Sequence, residues 1–214
     1  MILNRYAVIL ITFLIGCGCA TTGSNTSGLE RSERSLSSME ILYDDIQETI
    51  SGIDEVESSL RNLKRSGQTD VESAFQEYSD DVSDLEETGN NMLENKSEME
   101  ENTQAYFSGW EEEGEEYENQ RLQELSRERR SELKETYNQV TIESSGVERE
   151  LNNFISDAKD LRAYLSNDLT SSGIDAISPL ADDLMDNSED LKEKLRNTQS
   201  ALERSISEMA RSRN

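Results

Sequence analysis

The sequence has no histidine, one proline and two cysteines among its 214 residues. Without histidine the chain lacks the commonest general base, the commonest zinc ligand and every Ser-His-Asp or Cys-His arrangement. Cys17 and Cys19 are too few for a disulfide framework or a thiolate cluster. We also find no glycine-rich loop of the kind that holds phosphates. We therefore expect no catalysis, no metal site and no cofactor.

Basic residues are also scarce, at 21 against 46 acidic ones, which gives a formal net charge of −25. Nucleic acids are bound through a basic surface, so this balance argues against a nucleic-acid partner. Leu, Ile, Val and Phe make up only 36 of the 198 residues after Gly16. Such a fraction is too low for a broad globular core.

The N-terminus has the pattern of a signal peptide. Arg5 gives it a positive start, and the apolar run from Tyr6 to Ile15 is too short for a permanent transmembrane helix. The run ends in Leu14-Ile15-Gly16-Cys17, which resembles the lipobox of bacterial lipoproteins. We predict a signal peptide over residues 1–16, with cleavage before a lipid-modified Cys17. An ordinary secretory signal is the alternative. Cys19 fits less well as the acceptor, because Gly16 would then occupy the branched apolar position.

A lipid on Cys17 would hold the protein on a membrane, because each buried CH₂ contributes about 0.8 kcal/mol. Gly18 follows in place of aspartate, which by analogy with diderm bacteria predicts the outer membrane, facing the periplasm. Residues 17–28 are rich in Gly, Ser and Thr, a composition typical of a flexible tether.

Beyond the tether, apolar residues recur at alternating intervals of three and four. The series run from Leu36 to Leu63, Val71 to Trp110, Leu133 to Leu165 and Leu180 to Met209. This spacing is typical of long helices that pack through narrow stripes. We predict an all-α fold, a single elongated, antiparallel, coiled-coil-like bundle over residues 29–214. Its helices are expected at about 30–65, 70–140, 146–166 and 179–211.

The second of these helices is expected to be one very long central helix. The chain either breaks near Gly146, where Ser145 to Glu148 form a possible capping box, or continues through it. Pro179 suits the first turn of the last helix, because the missing N–H is not needed there.

Two features in the long helix are candidate binding surfaces. The first is a block of glutamates between Glu111 and Glu118, which is either a solvated helix face or a cation or solute site. The second is a group of aromatic side chains that either pack in the bundle or contact a partner, since aromatic residues are enriched at interface hot spots. This group consists of Tyr106, Phe107, Trp110 and Tyr117.

The segment from Tyr106 to Asn119 is rich in Trp, Tyr, Gly and Glu and is followed by Arg130 and Tyr137. With the later stretch from Asp160 to Ile177, it resembles an uncharacterised bacterial lipoprotein family catalogued as domain of unknown function twenty-nine fifty-nine. The likeness extends over about residues 36–210. It implies a lipidated leader on an all-helical body, and it implies no activity.

We therefore expect a lipid-anchored cell-envelope protein with a structural or protein-interaction role and no catalysis. Its expected contacts are the membrane, through Cys17, and either a protein partner or a second copy through the helical seams. The alternative is a protein that binds cations or small solutes on its acidic face.

Overall fold

The computed structural model describes residues 27–65 and 70–211. Every regular element in these ranges is a helix, so the predicted all-α class is confirmed. The five helices are α1 (Gly28–Arg65), α2 (Val71–Glu115), α3 (Gln120–Glu143), α4 (Val147–Asn167) and α5 (Ser171–Arg211).

The helices form an antiparallel bundle of four columns, with α3 and α4 stacked end to end in one column. α1 runs antiparallel to α2, since Arg31 pairs with Glu113 near one end and Asn62 bonds Glu77 near the other. α5 runs antiparallel to the α3–α4 column, because Glu208 reaches Arg129 of α3 and Ile174 lies near the C-terminus of α4. α5 also lies along α1, and α2 along α4. The predicted elongated antiparallel bundle is therefore confirmed.

The expectation of a single helix over about 70–140 needs correction. α2 ends at Glu115, and α3 begins at Gln120 after a short turn. The negative end of a helix dipole disfavours acidic side chains, and the last turn of α2 is acidic with no basic residue. The turn also supplies the next cap, since the Asn119 side chain accepts a hydrogen bond from the Arg121 N–H at 2.9 Å.

The second break lies at residues 144–146, where the sequence left two alternatives open. Gly146 has a φ of 85°, in the left-handed region that favours glycine. α3 ends just before it and α4 begins just after it. The break therefore divides the third column into two helices.

The last helix begins at Ser171, so the expected start at residue 179 was wrong. Thr170 caps it, because its Oγ1 accepts a hydrogen bond from the Gly173 N–H at 3.1 Å. Pro179 therefore lies inside α5. The missing N–H deprives the Asp175 carbonyl of its helical donor, but both residues lie on the exposed face, where solvent can supply one.

The earlier start of α5 also changes its apolar stripe. Leu180, which the spacing placed in the buried series, is exposed. Ile174, Ile177 and Ala181 form the buried stripe there and lead into Leu184. α3 has the thinnest stripe of the five helices, since among its residues only Leu133 and Val140 are buried.

Gly173→Ala is expected to lower the free energy of unfolding by about 1–3 kcal/mol, the usual range for overpacking. A Cβ built on Gly173 would lie 2.1 Å from the Asp168 backbone oxygen, so the α4–α5 connection would have to move. The measurement is urea unfolding. The control is Ser172→Ala at the exposed position next to Gly173, which should stay within about 0.5 kcal/mol of the wild type. Equal midpoints for the two variants would contradict the expectation.

Candidate functional site

Three of the four aromatic residues that the sequence singles out as candidate contact residues form a cluster near the end of the bundle where α1 begins. The ring centroids of Tyr106 lie 5.2 Å from Phe107 and 5.6 Å from Trp110. Tyr106 and Phe107 are buried, and Trp110 is half-buried against the core. Tyr137 of α3 completes the cluster, with its ring centroid 6.1 Å from that of Phe107.

Tyr117 lies apart from this cluster, in the turn between α2 and α3. Its side chain is exposed. Its carbonyl accepts a hydrogen bond from Gln123 Nε2 at 2.7 Å. The structure therefore separates one predicted contact residue from the other three, while partner binding by any of the four stays a prediction.

Arginines from two other helices enclose the aromatic cluster. The Arg31 side chain of α1 passes close to Gly109, and a Cβ added to Gly109 would lie 2.4 Å from the Arg31 Nε. The Arg31 guanidinium pairs with Glu113 at 2.5 Å. Arg130 of α3 pairs with Glu111 at 3.3 Å. Two glutamates of the acidic block are thus held by cations from neighbouring helices, so part of the block forms interhelical ion pairs at this end, with the glutamate side chains still about half exposed.

The two tyrosines of the cluster, the buried Tyr106 and the half-buried Tyr137, are neutral at ordinary pH. Burial raises the pKa of Tyr106, although a hydrogen bond with Ser32 and nearby arginines act in the opposite direction. Burial also raises the pKa of Tyr137, and the Glu100 charge adds to the increase. Phenols with a raised pKa keep their protons near neutral pH, so these two side chains pack and donate hydrogen bonds and do not form the phenolate that proton transfer requires.

A buried charged cluster joins α1 to α5 near the middle of the bundle. Lys192 Nζ lies 2.9 Å from Glu57 Oε1, and both side chains are about 4% exposed or less. The same Nζ pairs with Asp54 and Glu189, at 2.9 and 2.7 Å. Ser188 Oγ donates a hydrogen bond to Glu57. The packing of α1 against α5 thus brings Ser188 and Lys192 to this carboxylate, and Arg61, one turn further along α1, also pairs with it at 2.5 Å.

The charge state of Glu57 reflects two opposed effects. Burial by itself raises the pKa of the carboxyl, but hydrogen bonds from Ser188, Lys192 and Arg61 outweigh it and hold the pKa below its ordinary 4.5. The Lys192 pKa moves in the other direction: burial lowers it, and the hydrogen bonds to Glu189, Glu57 and Asp54 raise it well above its usual range. Both groups are therefore charged at neutral pH, which suits a structural ion pair better than a proton-transfer group.

Local spacing did not predict this cluster, although a signal was present in the sequence. Ser188 and Lys192 occupy positions between Leu184, Leu191 and Leu195 on the inward stripe of α5. Polar residues at such positions indicate a buried partner. Identifying Glu57 as the partner needs the register of α1 against α5, which local spacing does not contain.

A groove of about 860 Å³ lies between the α3–α4 break and α5. Ile142, Phe154 and Leu184 form its apolar part, and the Lys194–Glu150 ion pair lies across it. The rest of the lining is amides, carboxylates and the Ser145 hydroxyl. Within residues 27–65 and 70–211, no group of three or more Asp, Glu, Cys or His side chains is arranged to hold a metal ion.

In a comparison with protein-family models, residues 27–211 match the model described as "Protein of unknown function (DUF2959)". The chain belongs to the DUF2959 family. The matched range includes the aromatic cluster, the buried charged cluster and the groove. No curated protein and no solved structure matches the chain.

The family match begins at residue 27, so the predicted lipid site of this DUF2959 chain, Cys17, is outside the match. Cys17 also lies outside the residues that the structure describes. Among the described helices, none is both long enough and apolar enough to span a membrane.

Proposed function

We propose that this DUF2959 protein is a lipid-anchored envelope protein, held in the outer membrane through Cys17, with a structural or protein-interaction role and no catalysis. The observation that carries the proposal is the leader, in which Leu14-Ile15-Gly16-Cys17 ends an apolar run of signal-peptide length. The bundle is consistent with such a role, because its buried ionisable pair, Glu57 and Lys192, is engaged in helix packing.

The position of the first helix supports an extended arrangement away from the membrane. α1 begins at Gly28, eleven residues after the proposed lipid site, and continues for 38 residues. At 1.5 Å per residue it extends about 57 Å. A bundle tethered at this end would present its opposite end, where α4 meets α5, far from the lipid surface. Such a bundle can serve as a spacer or as a surface for a protein partner.

The anchor is tested by Cys17→Ser, with Cys19→Ser as the matched control two residues away. In the cells that produce the protein, Cys17→Ser should retain residues 1–16 and carry no acyl mass, because both lipidation and cleavage depend on the Cys17 thiol. Cys19→Ser should be cleaved, acylated and extracted into detergent like the wild type. The measurements are intact mass spectrometry and detergent partitioning. An unchanged mass pattern in Cys17→Ser would reject the lipoprotein assignment.

The interaction role is tested by crosslinking in whole cells from exposed positions on two helices, such as Ile41 and Ile142. A reproducible link from one face to another protein, or to a second copy of the chain, supports the proposal. A bundle that forms no link from either face would favour a purely mechanical role.

The second candidate function is binding of a small cationic solute in the groove beside α5. The groove supports it because carboxylates of Glu143, Asp157 and Asp190 line a volume of small-molecule size. Calorimetric titration with spermidine and with magnesium tests this candidate. Heat that disappears in Asp157→Asn would support it, and the absence of binding heat for either probe would reject it.

A further inference from the structure

The end of the bundle where α1 begins has an unusual group of exposed apolar side chains. These side chains, which we call the tip residues, are 39% to 60% exposed. The tip residues are Leu29, Tyr117, Leu122 and Leu125. In the described ranges the other large exposed hydrophobic residues lie along the sides or toward the opposite end, and they are Ile41, Ile142, Tyr164 and Leu180.

Several contacts place the tip residues at one end although they come from three parts of the chain. The Gly28 backbone lies beside the Glu113 carboxylate, so the start of α1 meets the end of α2. Gln123 Nε2 donates to the Tyr117 carbonyl, which holds the first turn of α3 against the α2–α3 turn. Leu122 and Leu125, three residues apart, share one face of α3.

The tip is also the end from which the chain leaves toward the proposed lipid site. Eleven residue steps separate Cys17 from Gly28, and they span at most about 40 Å when fully extended. This distance is shorter than α1 itself, at about 57 Å. The tip residues therefore remain within reach of any bilayer that holds the lipid of Cys17.

Charge restricts the kind of lipid surface that this end can approach. The last residue of α2, Glu115, and the turn that follows it, with Glu116 and Glu118, carry exposed carboxylates. Like charges repel at short range, so an anionic surface is unfavourable here. A zwitterionic surface imposes no such cost and still accepts leucine and tyrosine side chains, which are typical of interfacial contacts.

We propose that the tip docks on a zwitterionic bilayer surface, with Leu29, Tyr117, Leu122 and Leu125 in the lipid interface. The proposal rests on the proposed function, because the lipid on Cys17 brings the tip to the membrane. Docking would fix the direction of the bundle, with the α4–α5 connection pointing away from the lipid.

The experiment uses the full lipidated protein in vesicles of phosphatidylcholine brominated on its acyl chains, which quench nearby tryptophan. The reporter is Tyr117→Trp in a Trp110→Phe background. The matched control is Tyr164→Trp in the same background, an exposed tyrosine near the opposite end. We expect the tryptophan at 117 to lose most of its fluorescence, while the tryptophan at 164 keeps its intensity. Adding Leu122→Ser and Leu125→Ser should restore the signal at 117, and Ile142→Ser should leave it quenched.

Vesicle flotation separates failure of docking from failure of the anchor. Protein that floats with vesicles but shows no quenching at 117, or equal quenching at 117 and 164, overturns tip docking and leaves the lipid anchor intact. Protein that does not float overturns the anchor, and tip docking with it. Quenching at 117 that increases when phosphatidylglycerol replaces phosphatidylcholine would overturn the zwitterionic preference. Crosslinks between tips of two copies without quenching would assign the tip to self-association instead.

Discussion

Lys192→Met is expected to lower the free energy of unfolding by about 3 kcal/mol, because it leaves the buried Glu57 carboxylate without its main cation. Ser188 and Arg61 still contact Glu57, which keeps the loss near the lower end of the range for a broken buried pair. The measurement is urea unfolding followed by circular dichroism.

Lys194→Met is the matched control, on the same helix and two residues away. Lys194 is 40% exposed and pairs with Glu150. Exposed ion pairs contribute at most about 1 kcal/mol, so this variant should remain close to the wild type. Equal losses for Lys192→Met and Lys194→Met would contradict the role assigned to the buried cluster.

The double variant Glu57→Met with Lys192→Met should recover much of the stability that Lys192→Met loses. Both charges are then removed together, and methionine fills the space with an apolar chain. Ser188 retains a partner, because its Oγ also lies 2.7 Å from the Met185 carbonyl. A double variant less stable than Lys192→Met alone would show that the Glu57 carboxylate stabilises the fold even without Lys192, through Ser188 and Arg61.

The same cluster predicts a pH dependence with a definite sign. The folded pKa of Glu57 lies below its ordinary 4.5, so its contribution to stability is present above pH 4.5 and is lost as the pH falls through the folded value. Glu57→Gln removes this contribution. The difference in unfolding free energy between wild type and Glu57→Gln should therefore shrink on acidification. A difference that grows below pH 4.5 would reverse the assigned sign.

Tyr78→Ala is the second large effect and should cost about 3–5 kcal/mol, the usual range for removing a buried aromatic ring. Tyr78 is fully buried between α2 and α4. Its hydroxyl donates to the Ala158 carbonyl at 2.8 Å. Urea unfolding measures the loss of stability.

Tyr78→Phe separates the volume of the ring from the hydrogen bond. The Ala158 carbonyl lies inside α4 and keeps its helical donor, so removing the hydroxyl should cost only about 1 kcal/mol. If Tyr78→Phe destabilised the protein as much as Tyr78→Ala does, the hydrogen bond would outweigh the packing of the ring.

Local patterns account for most of the fold. The three-and-four spacing from Leu36 to Leu63 predicts α1 and its buried face, because a helix places such residues on one side. The same spacing predicts that α4 and α5 pack through narrow stripes. It could not predict the break after Glu115, since a stripe interrupted by a four-residue turn has nearly the same apolar spacing on either side. Capping by Thr170 was also missed, because the proline eight residues into α5 is the stronger local signal for a helix start.

The aromatic cluster likewise has one part that the local sequence predicts and another that depends on tertiary packing. Tyr106, Phe107 and Trp110 are neighbours on one helix, so their clustering is determined by sequence alone. The contact between Phe107 and Tyr137 depends on how α2 folds back onto α3.

The sequence by itself determined the helical class, the leader pattern, the acidity and most of the inward stripes, because each follows from residues within a few turns of one another. Tertiary structure alone decided that Lys192 meets Glu57, 135 residues earlier. It also decided that Leu29 shares one end of the bundle with Tyr117 and Leu122. The physical reason is that local periodicity selects a face of a helix, whereas the order, direction and register of the packed helices determine which faces meet.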